Sequence, residues 1–332
     1  MNTPRLLTPK NTYTIDYPEA IEFARQQASI LWTPEEIDVE KDLHSLKTEF
    51  NEAEYHGVIS TLKLFTLYEL HVGEDYWSGY VSKVFPRPDI QRMASTFSFV
   101  ELGVHSPFYS KINEVLGLDT DEFYNSYMND PILENRMNWI GKRVSKRNSY
   151  NDILKSVGIF SMIEGAILYS SFAFLKHFNN NGENKLTAIN AGINYSVLDE
   201  MIHSKSGAWL FRALLKEIIE CDHEFKFDGL LELEEELYKT ASIIYEHECI
   251  IVDKLFEKGD MPGITSDQLK IFIQSRLDEC LIGLGLNALY SPSYNPIADW
   301  FYKDIKGSTL HDFFVSHGSS YNRSWNKSKF TW

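Results

Sequence analysis

Between Val157 and Leu175 the chain reads VGIFSMIEGAILYSSFAFL, a run long enough to span a bilayer that carries one charge, Glu164. A segment of this length and polarity is either a membrane span or the central helix of a well-filled helical protein. A carboxylate near the middle of a span costs roughly 2.5 to 3.5 kcal/mol even on the insertion scale most tolerant of charge. No comparable stretch recurs to build a bundle of spans. The segment is therefore expected to be a buried helix, without a membrane. That reading raises a chemical question, because a carboxylate in an apolar interior must protonate, pair with a cation or bind a metal.

The rest of the chain is patterned to surround such a helix. Apolar residues recur at three- and four-residue spacing over 52–84, 88–117, 150–178, 185–218, 229–258 and 266–286. Pro86 and Pro88 separate the first two segments, the NNNG run from Asn179 to Gly182 closes the Glu164 segment, and MPGITSD (261–267) ends one helix and caps the next. This predicts an all-α helical bundle with short connections. With 32 Lys plus Arg against 47 Asp plus Glu, a net charge of -15, the molecule repels a phosphate backbone, so no nucleic-acid partner is expected. The three cysteines, Cys221, Cys249 and Cys280, show no CxxC spacing, which argues against a disulfide framework or a thiolate zinc site. The opening MNTPRLLTPK has no apolar core of a signal peptide. A cytoplasmic location is the expectation.

Carboxylate–histidine pairs at helical spacing include Glu52 with His56, Glu101 with His105, Glu200 with His203, and Glu220 with His223. Spacing alone does not separate them; context does. Glu52 and His56 sit in a polar helix start and Glu220 and His223 at a polar helix end. Glu101 and His105, in SFVELGVHSPFY, are embedded among apolar and aromatic neighbours. Glu200 and His203, in LDEMIHS, share one helix face, with Asp199 beside them as an acceptor for an imidazole N–H. Glu69, in LFTLYELHVG, and Glu164 are two further acids on apolar helices. Four carboxylates and two histidines on four long helices form the donor set of a carboxylate-bridged dinuclear metal site in a ferritin-like bundle. Oxygen and imidazole donors without thiolate suit iron or manganese.

With these residues in place, the chain resembles the small, radical-generating subunit of class I ribonucleotide reductase. The likeness runs from about Gln26 to Trp300 and includes LWTPEEIDVEKD (31–42), LKLFTLYE (62–69), the Glu101–Tyr109 segment, the Glu164 helix and LDEMIHS (198–204). The resemblance implies that Glu69, Glu101 and His105 hold one metal, that Glu164, Glu200 and His203 hold the other, and that Glu101 and Glu200 bridge the two. It also implies a tyrosyl radical at Tyr109, made with O₂ at an Fe/Fe pair or alternatively an Mn/Fe pair. Trp32 and Asp199 match the start of an electron-transfer route to the large catalytic subunit, which uses the radical to reduce ribonucleotides. The small subunit is expected as a homodimer that is active only with that large subunit.

One departure from the family pattern stands out. The usual ExxH spacing would put Leu102 at a ligand position, and leucine binds no metal. Either Glu101 supplies the carboxylate through a four-residue spacing, which a local π-bulge in the helix would accommodate, or the site lacks one acid and holds an altered cofactor; the first is the expectation. The domain division expected is 1–300 for the bundle and 301–332 for a flexible docking tail. Residues 301–332 hold five Lys or Arg against two Asp and end in aromatic residues; Tyr321 is the residue expected to relay the radical across the interface. The alternative is a dimetal oxidase or desaturase acting on a fatty chain.

Overall fold

The computed structural model describes residues 3–142, 148–180, 184–222, 225, 228–303 and 305. Among them there is no strand, only an isolated bridge between Met261 and Ile264. The chain forms an all-α, ferritin-like bundle. Four helical stretches build its centre and are named here by the acid each carries: the Glu69 helix (52–84), the Glu101 helix (88–116), the Glu164 helix (150–180) and the Glu200 helix, Thr187–Cys221. Asp228–Leu255 and Ser266–Leu284 pack around them, with two helices that the apolar pattern did not reveal, Pro18–Ser29 and Pro131–Gly141.

Local chemistry sets the helix limits. Asn51 and Glu54 exchange hydrogen bonds in a capping box that starts the Glu69 helix, and Thr265 with Gln268 does the same for Ser266–Leu284. Gly117 and Gly285 adopt left-handed backbone at the helix ends, which is why these two helices stop at Leu116 and Leu284, slightly short of the apolar pattern. The Glu200 helix has no cap from its own flank. Instead Asp42, brought in from the segment 31–42, accepts hydrogen bonds from the Ile189 N–H at 2.7 Å and the Thr187 hydroxyl at 3.4 Å.

The Glu164 helix is long and apolar enough to cross a membrane, yet its most apolar window is wholly buried by the other helices. Ser161 and Ser204 fasten it to the Glu200 helix, each hydroxyl donating to the other residue's carbonyl at 2.9 and 2.8 Å. The Glu69 and Glu101 helices approach so closely that a Cβ on Gly73 would lie 2.8 Å from the Glu101 Cβ.

Three of the four central helices are interrupted by π-helical turns, at His71–Val81, Glu101–His105 and Ile163–Ile167. Each lies at or just after a predicted ligand. At the second, the Ser106 N–H donates to the carbonyl of Glu101, five residues back. The expected local bulge is therefore present at the unusual Glu101–His105 spacing. Glu101 is fully buried, whereas Leu102 is partly exposed on the outer face.

The C-terminal segment is described only at its start. Phe301 is buried against Phe272 and Tyr169, so the helical packing continues at least that far. Tyr321 and the remainder of the expected tail lie outside the described residues, as does His223.

Candidate metal centre

All six predicted acids and histidines converge in the middle of the bundle. One atom from each of Glu69, Glu101, His105 and Glu200 falls within 4.8 Å of the others, and the same holds for Glu101, Glu164, Glu200 and His203. The two groups share Glu101 and Glu200. Every member is buried to within a few per cent.

The donor atoms face one another instead of satisfying themselves. His105 Nδ1 lies 2.9 Å from Glu101 Oε2, 3.4 Å from Glu200 Oε1 and 3.7 Å from Glu69 Oε2. His203 Nδ1 lies 2.5 Å from Glu101 Oε1, at an angle that makes no hydrogen bond. Both oxygens of Glu200, Nδ1 of His203 and one oxygen each of Glu69 and Glu101 are buried without a hydrogen-bond partner. Each such orphan costs on the order of 1 to 3 kcal/mol, and five of them meeting at one place call for a ligand. Two divalent cations fit: four carboxylates balance their charge, and the two shared acids lie within reach of both donor groups.

Neighbouring groups fix the orientation of the donors. Asp199 accepts from His105 Nε2 at 3.0 Å, from Trp32 Nε1 at 2.9 Å and from Gln27 Nε2 at 2.6 Å, all buried. The acid next to Glu200 thus serves the histidine of the other pair, turning His105 so that Nδ1 faces the cluster. Trp77, which spacing did not single out, donates its indole N–H to Glu164 Oε1 at 2.6 Å and packs edge-on to His203. Tyr109 is fully buried, with Phe65 and Phe108 against its ring at 4.6 and 5.1 Å between centroids. Burial, reinforced by the charge of Glu69, pushes its phenol well above the ordinary range and keeps the proton on it. The Glu52–His56 pair stays outside this assembly: Glu52 is exposed, and His56 reaches the Lys254 carbonyl at 3.0 Å and the Glu257 carboxylate.

In the metal-free protein, burial and the charge of Glu101 hold Glu69 well above the usual carboxylate range, and burial with Glu101 and Glu164 does the same to Glu200. For His203 burial acts downward, but Glu101 and Glu164 outweigh it and raise the imidazole to about 10. His105 is raised in the same way, chiefly by Glu101 and Asp199. Glu101 is the exception, since the two imidazoles overcome its burial and hold it low.

These shifts act together. A raised carboxylate destabilises the fold increasingly as pH climbs from its ordinary value towards its folded value. A raised histidine contributes stability that is complete below about 6.5 and lost on passing 10. Glu101, already ionised, adds no opposing slope in that window. The metal-free protein is therefore expected to melt at a lower temperature at pH 10 than at pH 6.5. The metal-loaded protein, its ligands already deprotonated, should show a smaller change. A metal-free melting temperature that rises over this interval would contradict the assignment of charges.

Bundle and cluster together define a ferritin-like protein whose core holds a buried carboxylate–histidine cluster suited to a dinuclear metal site. Residues 9–296 match the family model described as ribonucleotide reductase, small chain, and the chain belongs to that family. It is 25% identical to the ribonucleoside-diphosphate reductase subunit beta of Chlamydia pneumoniae, over 90% of this chain and 85% of that one. It is 24% identical to the ribonucleoside-diphosphate reductase small chain of Plasmodium falciparum, over 94% and 83%. Among solved structures, the dimanganese(II) NrdF of Streptococcus sanguinis superposes with a TM-score of 0.71 at 20% identity, covering 87% of this chain and 97% of that one. The ribonucleotide reductase R2 subunit of Clostridium botulinum gives 0.74 at 21%, covering 88% and 89%.

Proposed function

We propose that this chain is the radical-generating small subunit of a class I ribonucleotide reductase, with Glu69, Glu101, His105, Glu164, Glu200 and His203 as ligands of an iron or manganese pair. The observation that carries the reading is the pair of four-donor groups sharing Glu101 and Glu200. When bound, such a pair supplies one-electron oxidation of a phenol at the expense of O₂.

The chain's own residues then have separate tasks. Glu101 and Glu200, common to both donor groups, would be shared by the two ions, with Glu69 and His105 holding one and Glu164 and His203 the other. Tyr109 gives up one electron and its phenolic proton. Phe65 and Phe108 exclude water from the oxidised ring, and Trp77 holds Glu164 in one orientation. Asp199 links His105 to Trp32 through two hydrogen bonds, a buried path by which an oxidising equivalent leaves the core for the large subunit. The family match favours this reading over an oxidase or desaturase of fatty chains.

Metal content is the direct test. The Glu164→Ala protein is expected to remain helical and to lose at least one of about two metal ions per chain, since that side then keeps only the two shared acids and His203; the expected ligand number follows from the donor set. Full metal loading by that variant would remove Glu164 from the assignment.

A homodimer is part of the same proposal. Phe99 is 54% exposed, Leu70 41% and Leu102 36%. Leu31 and Phe99 line one groove of about 400 Å³, and Leu102 lies against Gly73 of the adjacent helix. Apolar side chains grouped on one face of two helices suit a second copy of the chain. Phe99→Glu is expected to shift the sedimentation coefficient from dimer to monomer with the helical signal intact; an unchanged dimer would place the interface elsewhere.

A further inference from the structure

Among the described residues, the hydrogen bond of the Tyr109 phenol runs to the Ser196 hydroxyl, 3.3 Å between oxygens. Both residues are fully buried. Phe65 and Phe108 pack against the phenol ring, and Ser196 is the side chain that its hydroxyl contacts. Ser196 lies on the Glu200 helix, one turn before Glu200 and three residues before Asp199. The backbone that presents a candidate bridging ligand therefore also fixes this hydroxyl. A serine hydroxyl both accepts and donates, and it changes role by rotating about one bond.

We propose that Ser196 is a positioning residue for Tyr109, accepting the phenol's hydrogen bond in the resting protein and donating one to the phenoxyl oxygen once the tyrosine is oxidised. The inference rests on the reading of Tyr109 as the oxidised residue. In the step concerned the phenol O–H bond breaks, and its electron and proton both pass to the O₂-derived oxidant generated at the metal pair. No bond to Ser196 forms or breaks; its O–H turns towards the oxygen that has lost its hydrogen. In a dry, low-dielectric pocket that donor stabilises the dipole of the phenoxyl group, lengthening the radical's life and restraining its reaction with neighbouring side chains.

Two readouts on the full-length protein test this. The first uses the metal-free protein carrying tyrosine labelled with carbon-13 at Cζ, with Tyr109→Phe identifying the Tyr109 resonance. Ser196→Ala is expected to shift that resonance and Ser196→Thr, which keeps the hydroxyl, to return it; an unmoved resonance in Ser196→Ala overturns the proposal. The second uses the metal-loaded, O₂-treated protein in heavy water. An exchangeable deuteron coupled to the tyrosyl radical is expected in the wild type and in Ser196→Thr, and its loss in Ser196→Ala, with faster radical decay. Persistence of the coupling in Ser196→Ala overturns the donor role. Absence of any tyrosyl signal in the active wild type overturns the oxidised-tyrosine reading, and the donor role with it, while the carbon-13 result still decides the resting hydrogen bond.

Discussion

Tyr109→Phe is expected to reduce ribonucleotide reduction to the level of the large subunit alone, while metal loading and the fold survive. The ring keeps its packing against Phe65 and Phe108, and the lost hydroxyl gives up one hydrogen bond, worth about 0.5 to 1.5 kcal/mol. What disappears is the proton that must leave with the electron. Phenylalanine offers none, so an oxidising equivalent formed at the metals has no phenol to occupy. Electron paramagnetic resonance after O₂ exposure should show no tyrosyl doublet in the variant. An unchanged doublet would move the radical to another residue.

Much of this arrangement was legible in the sequence because burial leaves a chemical trace. Glu164 inside a near-membrane-like run and Glu101 among aromatic residues both announce a charge that needs a partner. Helical spacing then supplies His105 and His203. The all-α architecture followed from the same apolar periodicity, and the departure from the usual three-residue spacing at Glu101–His105 pointed to a π-turn there without requiring one, since residues four apart also share an α-helical face.

Other features left no such trace. Trp77 stands eight residues after Glu69, about 80° off that residue's face at α-helical pitch, and the π-helical stretch from His71 to Val81 changes the phase that brings it to Glu164. Asp199 was expected as an imidazole acceptor beside His203, but the histidine it serves is His105, on another helix. Ser196 looks like any small residue of a helix until Tyr109 is placed against it. Pro18–Ser29 and Pro131–Gly141 are short, with apolar faces too brief to mark their limits.

The second large effect is expected at the C-terminus. Deleting residues 319–332 should leave metal binding and the Tyr109 radical intact while abolishing association with the large subunit and, with it, turnover. The segment 301–332 carries a net +3, from five Lys or Arg and two Asp, on a chain whose total is -15. Tyr321, Arg323, Trp325, Phe330 and Trp332 are aromatic and guanidinium side chains of the kind that anchor interfaces. Side chains of this kind carry most of the affinity of an interface, so removing them should remove the affinity altogether. Tyr321→Phe separates docking from relay: association, measured by sedimentation of the mixed subunits, should persist while turnover stops. Wild-type turnover by the truncated chain would contradict both roles.

The central claim is the dinuclear centre with Glu101 as a bridge, and anomalous diffraction from crystals of the metal-loaded protein tests it most directly. Two anomalous peaks per chain are predicted, one beside Glu69 and His105 and the other beside Glu164 and His203, with Glu101 and Glu200 contacting both and Leu102 neither. A single peak, or a Glu101 carboxylate turned away from both metals, would contradict it.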